Sequence, residues 1–141
     1  MKRIISSLWL LMLLPLLLAM GSPRGALAPD KLPTPTEKFT AQFIDQADVA
    51  TECSEVSIEG KTFLEGKRGE GTFTVSFGMI DEILFRLKAE RLTGIVKIRD
   101  GGTAELILNG KEKVYGRTRY GTFQIPLTDL KKMTITPGTQ R

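Results

Sequence analysis

The stretch ELILNGKEKVYGRTRYGTFQIPLTDLKKMTI, residues 105–135, restates an earlier one, EVSIEGKTFLEGKRGEGTFTVSFGMIDEILF, residues 55–85, at a constant offset of fifty and without a gap. Seven of the 31 aligned pairs are identical: Glu55/Glu105, Gly60/Gly110, Lys61/Lys111, Gly66/Gly116, Gly71/Gly121, Thr72/Thr122 and Phe73/Phe123. Unrelated stretches of ordinary composition would share about two. Apolar positions exchange like for like, as in Val56/Leu106, Ile58/Leu108, Leu64/Val114, Val75/Ile125, Phe77/Leu127, Ile80/Leu130 and Ile83/Met133. Glycines and apolar spacing are shared, whereas reactive side chains almost never are. The repeat therefore reads as a duplicated backbone plan rather than a duplicated catalytic site.

Within each copy the pattern is that of strands. Val56-Ser57-Ile58 and Leu106-Ile107-Leu108 run into Glu59-Gly60-Lys61 and Asn109-Gly110-Lys111. Asn-Gly is a strong hairpin signal because both residues tolerate positive φ. The shared glycines Gly60, Gly66, Gly71, Gly110, Gly116 and Gly121 are read as turns. After Gly71 and Gly121, apolar residues fall at alternate positions, the period of a strand with one buried face. Phe73, Val75, Phe77, Phe123, Ile125 and Leu127 are accordingly assigned to the core. Pro126 has no amide hydrogen to donate, which places it at a sheet edge or a bulge.

One segment is ambiguous. Ile80, Ile83, Leu84 and Leu87 have the i, i+3, i+4, i+7 spacing of an amphipathic helix, but the matching segment ends at once in Thr136-Pro137-Gly138. The repeat decides for a turn over 78–82, a strand over 83–88 and another over 94–99. A further strand covers 39–44. These pieces predict an all-β fold with little helix: a small antiparallel barrel or a two-sheet sandwich with internal pseudo-symmetry, built from two copies of about fifty residues that share one core. The hairpin pattern resembles the first hairpin of Sm-like small barrels. Here five residues separate Gly110 from Gly116 and the second signature of that family is absent, so no RNA-binding role carries across.

The amino terminus reads as an export signal. Met1-Lys2-Arg3 precede an apolar run from Ile4 to Met20, the pattern of a signal peptide. Cleavage is placed after Gly21, with Ala28 as the alternative, and a retained anchor in the inner membrane as the competing reading. Residues 22–38, with four prolines, are expected to form a disordered spacer. A single β domain over 39–135 and a flexible tail over 136–141 complete the plan. The protein is thus expected in the periplasm or outside a bacterial cell.

Composition narrows the chemistry. The chain has no histidine, so no imidazole base or imidazole metal ligand is available. Cys53 is the single cysteine and is read as a small buried apolar side chain. Asp45, Asp48, Glu52 and Glu55 lack the loop glycine and alternate-residue spacing of a calcium site. Glu55 and Glu105 are read as partners for lysines on adjacent strands. No catalytic residue, metal or cofactor is assigned. Without Lys2 and Arg3, 18 basic residues face 16 acidic ones, a balance too even to favour nucleic acid.

The cluster with most binding character is basic. Lys111, Lys113, Tyr115, Arg117 and Arg119 share odd numbering, so an unbroken strand would put all five on one face. Such a face suits an anionic lipid head group or polysaccharide. The leading expectation is a non-catalytic binding or scaffolding module of the cell envelope, with an envelope protein, an anionic surface or a second copy of itself as partner. A hydrolase using carboxylates alone is the remaining alternative.

Overall fold

A computed structural model describes residues 32, 33 and 35–137. The export segment, its cleavage point and the last four residues of the expected tail lie outside them. The chain runs through β1 (Thr40–Asp45), β2 (Ala50–Ile58), β3 (Phe63–Arg68), β4 (Gly71–Ser76), a 3-10 turn (Phe77–Met79), β5 (Ile80–Lys88), β6 (Arg91–Ile98), β7 (Thr103–Leu108), β8 (Lys113–Thr118), β9 (Gly121–Pro126), a second 3-10 turn (Leu127–Asp129) and β10 (Leu130–Thr136). Among the described residues no helix is long and apolar enough to cross a membrane.

All ten strands join one antiparallel sheet in the order β4-β3-β7-β6-β5-β10-β1-β2-β8-β9. The sheet curls into a half-barrel, a form between the closed barrel and the two-sheet sandwich. Two aromatic pairs show the curl. Phe43 on β1 stacks on Phe123, three strands away on β9, with ring centroids 5.8 Å apart. Phe39, just before β1, meets Phe77 beyond β4 edge to face at 5.8 Å. The concave side holds the core, in which Phe43, Phe77, Leu64, Ile83, Leu106, Leu127 and Met133 are among the fully buried side chains.

Counterpart elements fall fifty residues apart: β3 and β8, β4 and β9, the two 3-10 turns, and the starts of β5 and β10. β5 and β10 lie side by side at the middle of the sheet, where Ile83 faces Met133. The two outer hairpins keep the same register, Gly66 facing Phe73 and Gly116 facing Phe123. The correspondence breaks at β2. Lys67 faces Ile107, but its counterpart Arg117 faces Ser54 rather than Ser57.

Four sequence expectations change. First, Gly66 and Gly116 are not turns but lie inside β3 and β8. A Cβ on Gly66 would sit 2.7 Å from Leu106 Cβ, and one on Gly116 would sit 2.6 Å from Cys53 Cβ. Glycine is needed there for close approach of neighbouring strands. Second, Phe73 is not core: it is 45% exposed because β4 ends the sheet and none of the described residues covers it on that side. Val75 and Phe123 pack against the core only in part, while Phe77, Ile125 and Leu127 are buried. Third, β5 begins at Ile80, before the expected start. The three-residue step from Ile80 to Ile83 is a register shift in the β5–β6 ladder, not a helical turn. Leu87, which a helix would have buried, is exposed.

Fourth, the described end of the expected spacer lies on the domain. Leu32 and Pro35 are buried, and Leu32, Pro33 and Pro35 line a narrow cleft with Glu55, Tyr115, Gly116 and Arg117.

The β5–β6 hairpin turns through Ala89 and Glu90, both at positive φ (52° and 63°). Two-residue turns of this kind favour Asn-Gly, and each ordinary side chain there costs about 1–2 kcal/mol. Ala89→Asn with Glu90→Gly is expected to raise stability by about 1–2 kcal/mol. Urea unfolding of the double variant beside the parent measures it.

Candidate functional site

The five residues of the expected basic face are not brought together on one open surface. Lys113, Tyr115 and Arg117 lie on β8, whereas Lys111 precedes the strand and Arg119 sits in the turn after it. Tyr115 is only 7% exposed, lying in the cleft with Leu32, Pro33 and Pro35. Its phenol is pushed above the ordinary value by burial and, secondarily, by Glu59. Arg117 is engaged: its Nε donates to Glu55 Oε2 at 2.8 Å. Lys38 approaches the other oxygen of the same carboxylate at 3.5 Å. Arg119 packs its guanidinium over the ring of Tyr120, 5.1 Å from the centroid. Lys111 and Lys113 are exposed.

Glu55 organises this corner. It sits at φ 50°, inside the irregular stretch of β2 between Ser54 and Ser57 where the ladder with β8 loses register. A bulge re-aims a side chain, and here the carboxylate reaches both the adjacent strand and the incoming segment. Glu55 thus has a cross-strand cation, but it is Arg117 rather than the expected lysine, and the lysine it also approaches, Lys38, precedes β1. Its counterpart Glu105 faces Ile95 on β6, and among the described residues no ion pair joins it to Lys67.

Cys53 is buried against Gly116. Burial, with a smaller contribution from Glu52, raises its thiol from the ordinary 9.0 to about 11. A protonated, enclosed thiol is a poor nucleophile. The unfolded thiol ionises near pH 9 and the folded one only near 11, so folding takes up a proton in between and stability falls as pH rises through that window. Cys53→Ala is expected to flatten this loss between pH 9 and 11, measured by urea midpoints at half-unit steps. Among the described residues no group of three or more His, Cys, Asp or Glu could hold a metal ion.

The contrast between the two ends of the sheet is the feature that residue patterns did not reveal, although Pro126 marked one of them. Phe77 N donates to Thr62 O at 2.9 Å, continuing the β3–β4 ladder. Bonded pairs alternate in an antiparallel ladder. Residues 71, 73, 75 and 77 therefore bond inward to β3, and the backbones of Thr72, Thr74 and Ser76 face outward. On β9, Leu127 N donates to Glu112 O at 3.0 Å, so Thr122, Gln124 and Pro126 face outward. The outward set on β9 includes a proline, which cannot extend the sheet; the β4 set carries three amides. Strand β4 has no charged side chain and exposes Phe73.

The described residues thus form an all-β domain, one curled sheet whose β4 edge carries no charged side chain. Residues 35–138 match the model of a protein family described as "Uncharacterised protein", more than half of the chain, and the chain belongs to that family. No curated protein and no solved structure matches it.

Proposed function

We propose that this protein is an exported, non-catalytic binding and scaffolding module of the bacterial cell envelope that associates with a second copy of itself through β4. The inequality of the two sheet ends carries the reading: natural sheets blunt their edges with charge, proline or cover, and among the described residues β4 has none of these. The export signal pattern, the absence of histidine and the buried, protonated thiol support a surface role over a catalytic one.

A second copy fits this edge in one register. With Thr74 opposite Thr74 of the second copy, Thr72 meets Ser76, and all three outward residues of each strand become bonded. Phe73 then lies across from Val75 of the second copy, an aromatic with a β-branched neighbour.

The test is the mass of the full chain by light scattering and sedimentation across micromolar to millimolar concentration. The parent is expected to dimerise. Thr74→Lys places a charge on the edge, and Ser76→Pro removes an outward donor as Pro126 already does on β9. Each is expected to weaken dimerisation about tenfold or more, and Gln124→Lys to leave it unchanged. A parent that stays monomeric throughout, or a Gln124→Lys effect equal to that of Thr74→Lys, removes the proposal.

A further inference from the structure

The outer face of the sheet has a depression beside each of the counterpart glycines Gly116 and Gly66, one lined by the chain's own amino-terminal segment and one open. Around Gly116 the chain's own Leu32, Pro33 and Pro35 fill the cleft beside Glu55, Tyr115 and Arg117. Pro33 Cβ lies 3.0 Å from where a Cβ of Gly60 would stand, so the segment is seated closely at a residue whose φ is +82°. Around Gly66, the counterpart of Gly116, there is instead an open depression of about 300 Å³. Its lining includes Glu65, Lys67, Thr72, Ile107, Asn109 and Glu112. Lys67 stands where Arg117 stands in the filled cleft, fifty residues on.

The apolar platform is present in both, though from a different strand. In the filled cleft it is Tyr115 on β8. In the open one Glu65 takes that position, and Ile107 on the neighbouring β7, 38% exposed, supplies the surface. Extended proline-bearing segments seat on such platforms because their conformation is largely fixed before binding. Glu65 and Glu112 outnumber Lys67, and burial raises the Glu112 carboxyl above its usual range, with Lys61 opposing this and Glu59 and Glu65 adding to it. An incoming lysine would relieve that acidic excess. The chain's own segment, Lys31-Leu32-Pro33-Thr34-Pro35-Thr36-Glu37-Lys38, has that composition.

The geometry points to the Gly66 groove as a receptor for an extended Leu-Pro-x-Pro segment with a flanking lysine, supplied by a partner polypeptide. This is a second contact surface beside the β4 edge, and it stands or falls separately. The probe is the capped peptide KLPTPTEK, with KLATATEK as the proline-free control, titrated into isotope-labelled full chain and followed by amide chemical shifts. The same titration in Thr74→Lys protein separates peptide binding from self-association. Saturable shifts at Lys67, Thr72, Ile107 and Glu112 are expected, with a Kd of about 1 mM or tighter. The control is expected to bind about fivefold more weakly or worse, and Ile107→Lys to lose these shifts while the rest of the spectrum is kept. Three results would overturn the inference: no saturation by about 5 mM, shifts confined to Tyr115 and Arg117 where the peptide merely replaces the chain's own segment, or equal binding of the control.

Discussion

Phe43→Ala is expected to lower unfolding stability by about 3–5 kcal/mol, the usual cost of emptying a fully buried phenylalanine site. Against a total of about 5–15 kcal/mol for a domain of this size, that change leaves a protein partly unfolded at moderate temperature. The position explains the magnitude. Phe43 is 1% exposed on β1 and stacks on Phe123 of β9, so it fills the concave side and also ties a distant strand across the curl. Phe73→Ala, at an identical residue type on β4, is expected to cost about 1 kcal/mol or less, as exposed sites do. Denaturant unfolding of the two variants side by side checks the contrast. Similar losses at both positions would contradict the assignment of inner and edge strands.

The second large effect concerns a single added methyl group. Gly116→Ala is expected to cost about 3 kcal/mol, at the upper end of ordinary overpacking. The new Cβ would lie 2.6 Å from Cys53 Cβ and 3.3 Å from Val56 Cγ1. Two Cβ atoms fixed to neighbouring backbones cannot rotate apart, so the strands themselves must separate. Removing the opposing Cβ with Cys53→Gly should restore part of the loss, giving a coupling of about 1 kcal/mol in a double-mutant cycle. Gly71→Ala is the control: its nearest neighbour is Arg68 O at 3.7 Å, and a change within about 0.5 kcal/mol is expected.

These variants also mark where the chain was legible and where it was not. The all-β class followed from alternation after Gly71 and Gly121, and Pro126 was correctly placed at an edge. Period-two patterning reports which face a side chain takes, not whether anything lies over it. Phe73 and Phe123 are therefore indistinguishable in sequence, yet one is exposed and the other half-covered by Phe43. Glycine is similarly ambiguous: Gly60 sits in a turn at positive φ, while Gly66 and Gly116 relieve contact inside strands.

The segment 80–88 imitated a helix because a register shift near its start inserts an extra residue between Ile80 and Ile83. The turn at Ala89 and Glu90 escaped notice because neither residue favours positive φ; the flanking β5 and β6, with their many paired residues, impose it. The basic face failed for a different reason. Nothing in the alternation of Lys111 to Arg119 reveals that Glu55 would claim Arg117, or that the proline-bearing segment would cover Tyr115.

Pro126 has one further consequence. A sheet that can be lengthened from both ends grows without limit, as fibrils do. Here β9, at one end of the sheet, has a proline among its outward residues, so among the described residues lengthening is disfavoured at that end and left to β4. In the β4–β4 pairing proposed above each copy spends its open edge on the other, so association through that edge stops at two molecules instead of growing into a filament.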